Sequence, residues 1–155
     1  MIFDPGNLSH VRELTLDNIN ATRIDKSTLH GFGLFATQSI KQGCILCLLD
    51  GQVIDKQIYD HICSALLPSI NGIQSYLFME CNYLNEHEIL ARTFRTKYSY
   101  INHSSRPNVS IRYHPIRVVA NQNITEGSEL TIDYREEPLT KSYLARPEKQ
   151  FLQGK

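Results

Sequence analysis

Three short stretches carry groups that could do chemistry. The first is His30-Gly-Phe-Gly-Leu-Phe35, where Gly31 and Gly33 leave the backbone without side-chain bulk. Main-chain carbonyls there can come close to a ligand, although such triplets serve equally well as tight turns opening a hairpin. The second is Tyr100-Ile-Asn-His-Ser-Ser-Arg-Pro-Asn108, a polar, turn-forming cluster punctuated by Pro107 and its asparagines. Asn102 and His103 bring an amide and an imidazole into it, groups that suit a polar ligand and also suit holding a buried turn. The third is Glu129-Leu-Thr-Ile-Asp-Tyr134, in which Leu130, Ile132 and Tyr134 alternate with Thr131 and Asp133. That period of two marks a strand and delivers Tyr134 to its end, where the phenol can face a reacting group or water.

Short strands must position these groups. Leu14, Leu16, Ile19 and Ile24 stand among polar residues and predict a leading strand within 9–24, with turns around Asn18 and Asn20. Ala36-Thr-Gln-Ser-Ile-Lys-Gln-Gly43 and Ala120-Asn-Gln-Asn-Ile-Thr-Glu-Gly127 share alanine, glutamine, isoleucine and glycine in register. Each follows one apolar run and precedes another, which predicts two strand-turn-strand units closed by a glycine. Between them the character changes. Ile54, Ile58, Ile62 and Leu66 recur at helical spacing and predict an amphipathic helix ending near Pro68. Asn71-Gly72 is a turn signal, and Tyr76-Leu-Phe-Met79 and Tyr83 read as strand. The tail, 136–155, is polar with isolated Tyr143, Leu144 and Phe151. The expected fold is mainly β, a β-rich α+β chain of several short sheets with a small helical insert.

The 155 residues suffice for one domain with its own core. Sixteen basic residues balance sixteen acidic ones, which gives no support for direct nucleic-acid binding and leaves room for a local acidic groove. No apolar run has membrane-spanning length and Met1-Ile-Phe-Asp-Pro does not resemble a secretory leader, so an intracellular protein is expected. In that compartment the four cysteines are reduced. Cys44 and Cys47 form a Cys-x-x-Cys pair, but they lie in an apolar, strand-like run where residues three apart face opposite ways. They are therefore expected to be packed thiols, and no metal site is expected.

In this order and at these distances, the three stretches resemble the SET-domain protein-lysine N-methyltransferases. The resemblance covers roughly residues 20–147 and implies one SET domain over 1–155: a core at about 20–135, a variable insert at 50–97 and a tail at 136–155. It implies short sheets around a threaded, knot-like C-terminal segment. It also implies transfer of a methyl group from S-adenosyl-L-methionine to a lysine amine, with Tyr134 as the catalytic tyrosine. Gly31, Phe32 and Gly33 would contact the methyl donor together with Asn102 and His103. Tyr76, Tyr98, Tyr100 and Tyr143 are candidates for an aromatic substrate channel, because an aliphatic stem with a cationic tip suits aromatic walls. Ile132 occupies the position that the family links to the number of methyls added, where a small aliphatic leaves more room. The sequence departs from the family at Ser105, where cysteine is frequent, and at Ser99, where arginine is frequent.

The tail at 136–155 carries no cysteine, so no counterpart of the zinc-binding segment of many histone-directed family members is expected within it. The chain resembles the minimal, stand-alone SET proteins of viral or bacterial type, and Tyr143 or Phe151 would close the channel instead. The implied partner is a lysine-bearing histone, DNA-packaging or ribosomal protein. The same likeness opens association as a homodimer, and places the protein in the cytoplasm if bacterial or in the nucleus if viral or eukaryotic. The rival reading is a non-catalytic SET module that binds a basic peptide. The presence of Asn102, His103 and Tyr134 together favours the enzyme.

Overall fold

Apolar–polar alternation in this chain becomes short strands, which a computed structural model places in three small sheets; it describes residues 4–66, 80–145 and 147–152. The first sheet has the order β1 (Thr22–Lys26), β2 (Phe32–Ala36), β10 (Glu129–Ile132), β7 (Asn102–His103). Strand β2 lies antiparallel to both β1 and β10, so Ile24 and Leu130 each face Leu34 across the ladder. All three side chains are buried, and each contributes about 1.5–3 kcal/mol of apolar burial. Strand β7 runs parallel to β10, with Asn102 opposite Thr131 and His103 opposite Ile132. The glycine loop and the Asn-His strand therefore flank the strand that leads into Tyr134.

The second sheet has the order β3 (Ile45–Leu48), β9 (Arg117–Ala120), β8 (Val109–Arg112). The third has the order β4 (Gln52–Asp55), β6 (Glu88–Arg92), β5 (Glu80–Tyr83). Buried residues of the first two sheets, among them Leu34, Val109, Val118 and Leu130, form one core with Tyr100 and Ile101.

The internal repeat is expressed differently from two independent hairpins. Its two copies pair with each other about a local two-fold. Ile40 and Ile124 exchange both backbone N–H···O bonds at 2.8 Å. Gly43 N donates to Ala120 O at 2.9 Å, and Gly127 N donates to Ala36 O at 2.8 Å. Both glycines adopt the left-handed region, with φ of 80° and 81°, which an L side chain resists. Both isoleucines are buried in the common core, which favours the pairing.

The leading strand expected within 9–24 begins only at Thr22. Ahead of it stands a helix, α1 (Leu8–Leu14), capped by Asn7, whose side chain accepts from Ser9 N at 2.9 Å and His10 N at 3.4 Å. The cap and the single buried residue, Val11, override the weak alternation. The expected amphipathic helix is α2 (Lys56–Leu66), with Ile54 left in β4. Its expected end at Pro68, the Asn71-Gly72 turn and the Tyr76–Met79 strand lie outside the described residues. Cys44 is exposed just before β3 and Cys47 is buried within it, so only one of the pair is a packed thiol. Burial pushes the Cys47 thiol up to about 11. A short helix in the tail, α3 (Lys141–Leu144), sets the Tyr143 ring 5.8 Å from that of Tyr83 in β5. Among the described residues, no helix is long and apolar enough to cross a membrane.

Candidate active site

Tyr134 opens a tight turn capped by Asp133, whose carboxylate accepts from Arg135 N at 3.0 Å. Its own backbone N–H donates to His103 Nδ1 at 3.2 Å, and its hydroxyl donates to Ile101 O at 3.0 Å. Both ends of the residue are thus tied to the chain that forms β7. The His103 ring lies 5.2 Å from the Tyr134 ring, and Phe151 from the tail adds edge contacts at 5.8 and 6.5 Å. A histidine that accepts at Nδ1 is neutral and carries its proton on Nε2. Burial lowers the His103 pKa and supports that state, against the opposing pull of Asp133 at 3.7 Å. Hydrogen bonds from Arg135, with Nη2 at 2.6 Å, hold the Asp133 carboxyl below the usual carboxylate range.

The glycine loop is clamped from below. Asn102 Nδ2 donates to His30 O and Phe32 O, each at 3.2 Å, and to Glu129 Oε1 at 2.7 Å. Glu129 also accepts from Ser27 Oγ at 2.8 Å. Gly33 is required by this clamp. A Cβ there would stand 2.7 Å from the Glu129 carboxyl carbon and 3.1 Å from Ser27 Cβ. Gly31 answers to a different need, with φ of 49° and open space where a side chain would be. Phe32 is half-buried against the core.

On its other side Tyr134 forms part of the wall of a cavity of about 560 Å³. Tyr98 and Tyr143 are in that wall, joined by Tyr59 from α2 and Tyr83 from β5. Tyr98 is placed by a buried acid. Glu80 pairs with Arg92 and accepts from Thr96 N at 3.0 Å, Thr96 Oγ1 at 2.9 Å and Ser99 Oγ, which fixes the turn Lys97–Tyr100. Ser99 thus serves as a donor to Glu80. The Tyr98 hydroxyl donates to Glu137 Oε1 at 2.9 Å, and burial pushes its pKa well above the ordinary phenol value. Glu137 also accepts from Asn82 Nδ2 at 3.0 Å and Tyr83 N at 2.8 Å, and burial raises its pKa.

The remaining expected channel residues fall elsewhere. Tyr100 is packed in the core, its hydroxyl 3.5 Å from Thr15 Oγ1, and Ile132 is 1% exposed. Tyr76 lies outside the described residues. Sequence reasoning gave no role to Tyr59, Tyr83, Glu129 or Glu137. Glu129 was visible as the first residue of its motif. Glu137 had no signal, because an acid in a polar tail reads as solvated. Cys63 and Cys81 also border the cavity, Cys81 Sγ lying 3.5 Å from Tyr59 Oη.

The family model for the SET domain matches residues 31–135. The chain is 30% identical over 117 residues to the histone-lysine N-methyltransferase TRX1 of Oryza sativa subsp. japonica, covering 71% of this chain and 11% of that protein. It is 30% identical over 124 residues to the histone-lysine N-methyltransferase MEDEA of Arabidopsis thaliana, covering 72% of this chain and 16% of the relative. Identity to the histone H3-lysine(4) N-trimethyltransferase ATX1 of Arabidopsis thaliana is 27% over 117 residues, 71% of this chain and 11% of the relative. The chain thus spans under a fifth of the length of these relatives. The matched span runs from the loop at Gly31, through the Asn102-His103 strand, to the turn after Tyr134, and the chain belongs to the SET domain family.

Proposed function

We propose that the protein is an S-adenosyl-L-methionine-dependent protein-lysine N-methyltransferase. The acceptor would be a lysine in a basic protein such as a histone, a DNA-packaging protein or a ribosomal protein. One observation carries this reading: Tyr134 is bonded to the Asn-His strand through its backbone and forms part of the wall of an aromatic cavity. The names of the relatives support the same reaction class.

The residues beside Tyr134 fit the methyl donor. Gly31 has open space against its backbone, and Asn102 Oδ1 takes no hydrogen bond among the described residues, so it can accept from an ammonium group. His103 and Phe151 add aromatic faces. S-adenosyl-L-methionine, when bound, supplies an activated methyl on a positive sulfonium. The protein's part is to deliver a neutral amine in line. A lysine has an ordinary pKa of about 10.4, and the positive sulfonium of a bound donor would disfavour its charged form at the point of transfer. Tyr134 directs its proton to Ile101 O, so its oxygen meets a ligand as an acceptor, suited to polarised C–H groups. Alignment in the cavity accounts for most of the barrier reduction.

The test is incubation with labelled S-adenosyl-L-methionine and a panel of histones, bacterial DNA-packaging proteins and ribosomal proteins, with modified sites mapped by mass spectrometry. Tyr134→Phe should reduce lysine labelling about a hundredfold or more. It should lower folding stability by only about 1 kcal/mol, the value of the Ile101 hydrogen bond. Labelling by the variant at the wild-type rate, or a wild type that binds no cofactor, would refute the proposal.

A further inference from the structure

The cavity wall holds a carboxyl group that no cation pairs with directly among the described residues. Its two acids differ. Asp60 is paired with Lys56 at 2.5 Å across one turn of α2. Glu137 takes part in none of the ion pairs among the described residues. The closest cation in its network, Arg92, reaches it only through Asn82, whose Oδ1 accepts from Arg92 Nη2 at 2.7 Å. That guanidinium is already neutralised by Glu80. The groups around Tyr98 are therefore two carboxyl groups and one guanidinium.

A carboxylate offers about four acceptor positions. Three donors reach Glu137, two at Oε1 and one, Tyr83 N, at Oε2. One position is left on Oε2, on a residue that forms part of the cavity wall. The same wall carries the rings of Tyr98, Tyr134 and Tyr143, whose faces attract cations. Tyr143 already carries an ammonium from within the chain, Lys149 Nζ at 5.1 Å from its centroid. Ionising an unpaired carboxyl in a buried wall is costly, and burial raises the Glu137 pKa accordingly. An entering ammonium would relieve that cost.

We propose that Glu137 is the specificity-determining contact for the acceptor amine: Oε2 takes an N–H of a primary alkylammonium while the tyrosine rings enclose its stem. This rests on the reading of the cavity as the acceptor-lysine site. Glu137 selects a cationic amine over a neutral group of the same size, which tyrosine walls alone do poorly.

The test uses the full chain and two small probes, n-butylammonium chloride and 1-butanol, with affinities read from NMR shift changes of cavity residues. Wild type should bind butylammonium about tenfold or more tightly than butanol, the scale of one hydrogen bond to a charged group. Glu137→Gln should weaken butylammonium by about the same factor and leave butanol unchanged. Equal affinities in the wild type overturn the proposal, and that comparison needs no folded variant. A variant that weakens both probes alike also overturns it, since a merely structural role predicts that result. Selective ammonium binding without methyl transfer to any protein would sustain the cation subsite and count against the transferase. Methyl transfer with no selectivity would do the reverse.

Discussion

Gly33→Ala tests the clamp beneath the glycine loop, and its size follows from the contacts. The Gly33 backbone has no left-handed φ, so alanine adds no backbone strain there. Its methyl would lie 2.7 Å from the Glu129 carboxyl carbon, well inside contact distance, so the carboxylate must move away. Moving it breaks the bonds from Ser27 Oγ and Asn102 Nδ2. Hydrogen bonds to a charged group are worth about 1.5–3 kcal/mol each, and these are part-buried, which places their sum at roughly 2–4 kcal/mol. Glu129→Ala removes the same two bonds and should cost a similar amount. In that background Gly33→Ala meets only Ser27 Cβ at 3.1 Å and should cost under about 1 kcal/mol. Urea unfolding of the four proteins closes the cycle, with a coupling energy of about 2 kcal/mol expected at constant m-value. Equal costs of Gly33→Ala in both backgrounds would show that the carboxylate is not what excludes a side chain. A cost within about 0.5 kcal/mol of zero in the wild type would refute the clamp itself.

Arg92→Met leaves the Glu80 carboxylate buried, with only neutral donors from Thr96 and Ser99, and both partners are under 5% exposed. A loss of about 3–5 kcal/mol is expected in urea unfolding, and a loss below 1 kcal/mol (about a surface pair's worth) would contradict it. The pH dependence of His103 has a definite sign. Its folded pKa is lowered by burial, so the unfolded chain takes the proton first as pH falls. The associated stability is present above the ordinary histidine value of about 6.5 and is lost as pH falls below it through the lowered folded value. His103→Asn, which keeps an acceptor for Tyr134 N, should flatten the stability–pH slope in that window. An unchanged slope would mean that the other histidines account for it.

Much of the site was legible because it is built from backbone-proximal features. Glycines at Gly31 and Gly33, an Asn-His pair and a strand leading into Tyr134 are local patterns, each displayed within a few consecutive residues. The helix over 56–66 was legible for the same reason, since its isoleucines repeat at the helical period. Where the local signal was weak, context decided: one Asn7 cap and one buried valine turned the expected first strand into α1. The internal repeat announced two similar turns, but not that Ile40 and Ile124 would pair across them.

The cavity was the part least legible. Its tyrosines come from residues 59, 83, 98, 134 and 143, on separate elements with no common spacing. Tyr98 and Tyr100 show the limit plainly. They are two residues apart in one turn, yet Glu80 fixes that turn so that Tyr98 borders the cavity while Tyr100 enters the core. Glu137 is the same case for charge. Its environment is set by Tyr83, Asn82 and Tyr98, all distant in sequence. The sequence by itself determined the family and its strand-rich fold. Only the tertiary structure decided which rings and which carboxylate share a wall, because burial and electrostatic environment depend on long-range neighbours that no local pattern encodes.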